Sequence, residues 1–121
     1  MSKNMEISFL LDFYGDMLTE KQRSMVDYYY NEDLSLAEIA ENEGITRQGV
    51  RDSIKRAEAQ LLEMEERLAL AARFRRMQEE LLTVQENARM LRAVNDRNGR
   101  IPEIEECAAK IAAAADRMAE A

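Results

Sequence analysis

Apolar residues recur three and four positions apart along nearly the whole chain, a spacing that predicts helices from end to end. Ile7, Leu10, Leu11 and Tyr14 mark one face of a short first helix that stops at Gly15. Thr19 and Gln22 have capping-box spacing, in which each side chain satisfies a free backbone donor, and predict a second helix from about Glu20 to Tyr30. Met25, Val26 and Tyr29 are its inward residues, and Asn31-Glu32-Asp33 is a polar connector. Ser35 and Glu38 repeat the capping box ahead of Leu36, Ile39 and Ala40. Gly44 then falls where the chain must turn with positive φ, which glycine tolerates. Ile45 is expected to plug that corner, Thr46 to cap the next helix, and Val50, Ile54 and Ala57 to bury its inner face. Residues 34 to 57 thus read as a helix-turn-helix braced by two preceding helices.

Beyond Val50 the apolar positions run Val50, Ile54, Ala57, Leu61, Met64, Leu68, Ala71, then Phe74, Met77, Leu81, Val84, Ala88, Leu91. Alternating steps of three and four make a heptad seam, and no glycine or proline interrupts it before Asn98. One helix of about 50 residues, reaching about 70 Å, is allowed. The change of step between Ala71 and Phe74 is the expected place for a kink. Asn95 to Pro102 stops the helix and restarts it, and Ile104, Ala108, Ile111, Ala115 and Met118 form a last, alanine-rich seam. The expectation is an all-α chain with a helix-turn-helix domain over residues 1–72 and a long, coiled-coil-like helical extension over 73–121. A two-sevenths stripe needs a partner helix, so Leu61, Met64, Leu68, Phe74, Met77 and Leu81 are read as a homodimer interface. The competing arrangement folds residues 102–119 back over the same seam.

Charge sharpens the functional reading. The chain carries 17 basic and 24 acidic residues, a net of −7, where a dedicated duplex binder is usually basic. Within residues 44–57, however, Arg47, Arg51, Lys55 and Arg56 face only Asp52, a local +3. Gln48, Arg51, Asp52 and Lys55 share the face opposite Val50 and Ile54, and a helix buried on one side and rich in hydrogen-bonding groups on the other suits major-groove reading. Contact with RNA or with a protein is the alternative use of the same face. Cys107 reads as a small buried apolar residue.

Composition excludes several classes. With no histidine, imidazole catalysis and ligation are out, and one cysteine allows neither an internal disulfide nor a thiolate cluster. No glycine loop cradles phosphate and no pocket-forming nucleophile accompanies the scattered carboxylates, so neither an enzyme nor a cofactor is expected. Apolar runs are far short of the roughly 18 residues of a membrane span, and a cytoplasmic location is expected.

Leu34-Ser-Leu-Ala-Glu-Ile-Ala through Thr46-Arg-Gln-Gly-Val-Arg resembles region 4 of the sigma-70 family, a promoter-reading module. The strings Phe9-Leu-Leu-Asp-Phe-Tyr-Gly-Asp-Met-Leu-Thr-Glu-Lys-Gln-Arg and Tyr28-Tyr-Tyr-Asn-Glu-Asp-Leu, joined to Thr46-Arg-Gln-Gly-Val-Arg-Asp-Ser-Ile-Lys-Arg, resemble the bacterial YlxM family over roughly residues 5 to 75. This resemblance implies a small cytoplasmic protein with a sigma-region-4-like fold. It also implies a link to the signal recognition particle pathway through that particle's RNA or GTPase. By the sigma-like match, Thr46 opens the reading helix, Arg47, Gln48, Arg51 and Asp52 fall at base-reading positions, and Lys55 and Arg56 lie near phosphate. Gly49 departs from the pattern where a basic residue is common. Asp52 repels phosphate unless it meets a cytosine amino group.

Overall fold

The computed structural model describes residues 1–120, all of them in helices, turns or short connectors. They fall into two compact units, Met1–Ala71 and Ala72–Ala121. The all-α class expected from the periodicity is the class observed.

In the first unit, α1 (Glu6–Tyr14) buries Ile7, Leu10, Leu11 and Tyr14, and a 3₁₀ turn over Gly15–Met17 brings Leu18 into the core. α2 (Glu20–Tyr30) opens on the Thr19/Gln22 capping box and buries Met25, Val26 and Tyr29. α3 (Leu36–Glu43) opens on the Ser35/Glu38 box and ends on Gly44 at φ 69°. α4 (Arg47–Leu68) is the spine, packing against α1, α2 and α3. Its inner face divides the core in two. Ala57 and Leu61 join Ile7, Leu10, Leu11, Tyr14 and Val26, while Val50 and Ile54 join Met25, Tyr29, Ile39 and Ala40. Burying each such leucine or isoleucine is worth about 1.5–3 kcal/mol, so α4 holds the unit together.

Two tyrosine–carboxylate pairs lock this core. Tyr30 donates its hydroxyl to Glu58 Oε1 at 2.6 Å, and burial followed by that bond pushes its pKa up to about 12. Tyr14 donates to Glu65 Oε1 at 2.6 Å, and burial, reinforced by the carboxylate, raises its pKa as well. The tyrosine run is largely structural. The Tyr29 and Tyr30 rings meet edge to face at 5.3 Å, Lys3 Nζ lies 4.6 Å from the Tyr29 centroid, and Tyr30 Oη accepts from Asn4 N–H.

The single long helix does not form. α4 ends at Leu68, Ala69 adopts φ 54°, and α5 (Leu70–Arg97) starts at once. Tertiary bonds stabilise the break. The Leu70 N–H donates to Tyr14 Oη at 3.1 Å and the Ala71 N–H donates to Glu65 Oε1 at 3.0 Å, so two free amides of the new helix are satisfied. Their stabilisation offsets the roughly 1–2 kcal/mol that a left-handed alanine costs. The break falls at Ala69, just ahead of the expected Ala71–Phe74 step.

In the second unit α5 and α6 (Pro102–Glu120) run antiparallel. Gly99 (φ 88°) and Arg100 (φ 45°) make the turn, and buried Asn95 brackets it, its amide donating to Ile101 O and its carbonyl accepting Ile101 N–H, both at 2.9 Å. Arg92 Nη2 donates to Glu105 Oε1 at 2.7 Å and Gln85 Nε2 to Asp116 Oδ1 at 2.8 Å. Ala88, Ala108 and Ala115 are buried, as small residues are where helices approach closely. Cys107, expected to be buried, is exposed, because it lies beside Ala108 on the outer side of that stripe. No described helix is long and apolar enough to cross a membrane.

Candidate nucleic-acid interface

The turn between α3 and α4 is built from two local devices. Gly44 in the left-handed region lets Ile45 N–H reach back to Ala40 O at 3.1 Å, closing α3. Thr46, in extended conformation, accepts the Gly49 N–H on Oγ1 at 3.0 Å and opens α4. Ile45 does not plug the corner. It is 40 % exposed and lies over Gly49, where an added Cβ would come within 3.7 Å of its side chain. That same Cβ would meet Thr46 Oγ1 at 3.2 Å, which gives Gly49 a local role in the cap.

With Val50, Ile54 and Ala57 fully buried, helical geometry turns Arg47, Gln48, Arg51, Asp52, Lys55 and Arg56 outward, and all six are exposed. No acidic residue lies in the first turn of α4. None of Arg47, Arg51, Lys55 and Arg56 forms an ion pair with a described residue. Asp52 is held by Gln48, whose Nε2 donates to Oδ1 at 2.9 Å. This i,i+4 bond sets two side chains side by side, presenting a carboxylate acceptor and the remaining amide groups together. Thr46 Oγ1 uses one lone pair on the cap and keeps its hydroxyl proton and a second lone pair for a ligand.

Beside this face lies an open groove of about 780 Å³ lined by Arg47, Gln48 and Arg51 from α4, Ser35, Leu36 and Ala37 from the start of α3, and Tyr29 and Met1. The α3 residues and Tyr29 were not among the expected site residues, although the Ser35/Glu38 box marks where α3 begins. The residues expected at a dimer seam divide between the two units, Leu61, Met64 and Leu68 in the first and Phe74, Met77 and Leu81 in the second. Leu61 is fully buried in the first unit and Leu81 is also buried, so neither has surface left for a second chain. Met64 packs against the first core cluster, Phe74 is half-buried, and Leu68 and Met77 are exposed. Among the described residues no group of histidine, cysteine or carboxylate side chains is placed to hold a metal ion.

Residues 1–100 match the family model described as "UPF0122: Putative helix-turn-helix protein, YlxM / p13 like". The chain belongs to the UPF0122 family. A UPF0122 protein of Halalkalibacterium halodurans is 46 % identical over 86 residues, 71 % of this chain and 79 % of the relative. One of Clostridium kluyveri is 53 % identical over 70 residues, 58 % of this chain and 63 % of the relative. One of Clostridium botulinum is 42 % identical over 98 residues, 81 % of this chain and 90 % of the relative. The YlxM resemblance read over residues 5 to 75 therefore extends further, through α5, and the UPF0122 match stops just before α6.

Proposed function

We propose that this UPF0122 chain is a non-enzymatic regulatory protein that binds duplex DNA through α4. In this reading Arg47, Gln48, Arg51 and Asp52 approach base edges in the major groove, and Lys55 and Arg56 approach phosphate. The observation that carries it is the α4 outer face: four cations without ion-pair partners among the described residues, on a helix whose other side is locked into the core. The sigma-70 region 4 resemblance of residues 34 to 51 and the helix-turn-helix description of the family support the same use. Asp52 and Gln48, already hydrogen-bonded, suit a cytosine amino group beside an adenine edge.

A second reading places the chain in the signal recognition particle pathway, bound to the particle's RNA or its GTPase. It follows from the YlxM resemblance, and the charge distribution favours a protein contact. Residues 72–121 carry 9 basic and 9 acidic side chains, so the whole net charge of −7 resides in the first unit, away from the α4 patch. Such an acidic surface suits a basic protein partner.

Fluorescence titration of labelled duplex DNA, particle RNA and particle GTPase at low salt separates the two readings. The DNA reading expects duplex binding whose salt slope falls by about 1 for each phosphate contact removed, as in Lys55→Ala, and weaker selectivity in Arg51→Ala. Duplex binding unchanged in both variants overturns the α4 assignment. Binding to particle RNA or GTPase with no duplex binding favours the second reading.

A further inference from the structure

The α5–α6 pair has two unlike edges. One is polar, where Arg92 meets Glu105 and Gln85 meets Asp116. Along the other, Met77, Val84 and Leu91 of α5 stand seven residues apart, and so do Ile104, Ile111 and Met118 of α6. Seven-residue spacing keeps each triplet on one stripe. Val84, Leu91 and Ile111 share a groove of about 300 Å³ with Thr83, Asn87 and Ala88. Folding leaves this edge uncovered. Leu81, Ala88, Asn95, Ala108 and Ala115 are buried, whereas Met77, Val84, Leu91, Ile111 and Met118 stay 41–54 % exposed.

We propose that this edge is a self-association surface, on which a second copy docks its own α5–α6 pair to complete a four-helix bundle about a two-fold axis. Three observations select a second copy over other occupants. First, both stripes repeat every seven residues, so each finds its complement in helices of the same period, and this chain supplies two. Second, the groove contains no charged residue and the second unit is electrically neutral with 9 basic and 9 acidic residues, so two copies meet there without repulsion while a nucleic acid finds no cation. Third, the five side chains that are 41–54 % exposed, with partly buried Ile104 beside them, offer on the order of 400 Å² of apolar surface per copy, enough to form the core of the roughly 800 Å² per partner that a specific interface buries. The interface differs from the seam read from the sequence: it retains Met77 and replaces the buried Leu61 and Leu81 with the outer stripe of α5 and its counterpart on α6. The inference does not depend on what α4 binds.

Sedimentation velocity of the full chain between about 1 and 100 µM tests it. The wild type is expected to sediment at twice the 14.0 kDa chain mass. Val84→Lys and Ile111→Lys should each weaken the dimer at least tenfold while helical circular dichroism is retained. Leu82→Lys, at a residue 57 % exposed that does not line the groove, should leave the mass unchanged. If a lysine variant loses helicity, Met77→Gln with Met118→Gln provides a milder test at the ends of the same stripes, and dissociation is again expected. A wild type at 14.0 kDa throughout, a dimer indifferent to the groove variants, or equal dissociation by Leu82→Lys overturns the proposal.

Discussion

Tyr14→Phe should uncouple the α4–α5 break from the core without creating a cavity. The ring stays buried at 2 % exposure, and only the hydroxyl is lost. That hydroxyl donates to Glu65 at 2.6 Å and accepts the Leu70 N–H at 3.1 Å. A hydrogen bond to a charged group is worth about 1.5–3 kcal/mol, and a donor deprived of its acceptor costs about 1–3 kcal/mol more where water cannot replace it. Leu70 is 43 % exposed and its bond to Tyr14 only part-buried, so water is expected to replace most of what that donor loses, and Glu65 keeps the Ala71 N–H. The expected loss is therefore about 2–3 kcal/mol, a large part of the 5–15 kcal/mol that holds a typical domain. All four tyrosines lie in Met1–Ala71, so the tyrosine band of the near-ultraviolet circular dichroism during urea unfolding reports on that unit. At a slope of about 1–3 kcal/mol per molar urea, the midpoint should fall by about 1 M or more. Amide exchange at Leu70 and Ala71 should accelerate more than at Ile54. A midpoint shift equivalent to less than about 0.5 kcal/mol, with exchange at Leu70 unchanged, would refute the claim that Tyr14 stabilises the break.

Other expectations follow from the same geometry. Gly44→Ala should destabilise the first unit by about 1–2 kcal/mol through backbone strain alone, since φ is 69° and an added Cβ meets nothing within 4 Å; thermal melting checks this. Thr46→Ala should cost about 1 kcal/mol by freeing the Gly49 N–H, and Thr46→Ser should restore most of it. Because Tyr30 rises from 10.0 to about 12 on folding, the unfolded chain gives up its proton first as pH climbs. Its contribution is thus complete below pH 10 and should fade between pH 10 and about 12, a loss that Tyr30→Phe should reduce in alkaline urea titrations.

The features legible in the sequence are those encoded within a few residues. Both capping boxes, the left-handed Gly44, the Thr46 cap and the buried faces of α1, α2 and α4 depend on contacts one helical turn apart, and spacing reveals them. What the spacing hides is set by distant partners. Nothing in Leu68-Ala69-Leu70 signals a helix end, because the bonds that stabilise it come from Tyr14, which is 51 residues from Glu65 and 56 from Leu70. A heptad seam also cannot say what covers it. In this chain α1 and α2 cover Leu61's region of α4, so residues written as one continuous seam serve two units. Ile45 shows a similar limit: an apolar residue after the turn glycine can lie over the next helix's cap as well as under it. On α4 the outward cations could be placed from period alone, whereas the groove beside them required α3 and Tyr29 to be positioned in space.

The central claim is that α4 presents a nucleic-acid-reading face, and amide chemical-shift mapping on titration with a duplex tests it most directly. The largest perturbations are expected on Arg47, Gln48, Arg51, Asp52 and Lys55, with smaller ones at Ser35, Leu36 and Ala37 across the groove, all diminishing as salt is raised. Perturbations confined to α5 and α6, or none on α4 at low salt under conditions where other chains of this charge bind duplex, would contradict it.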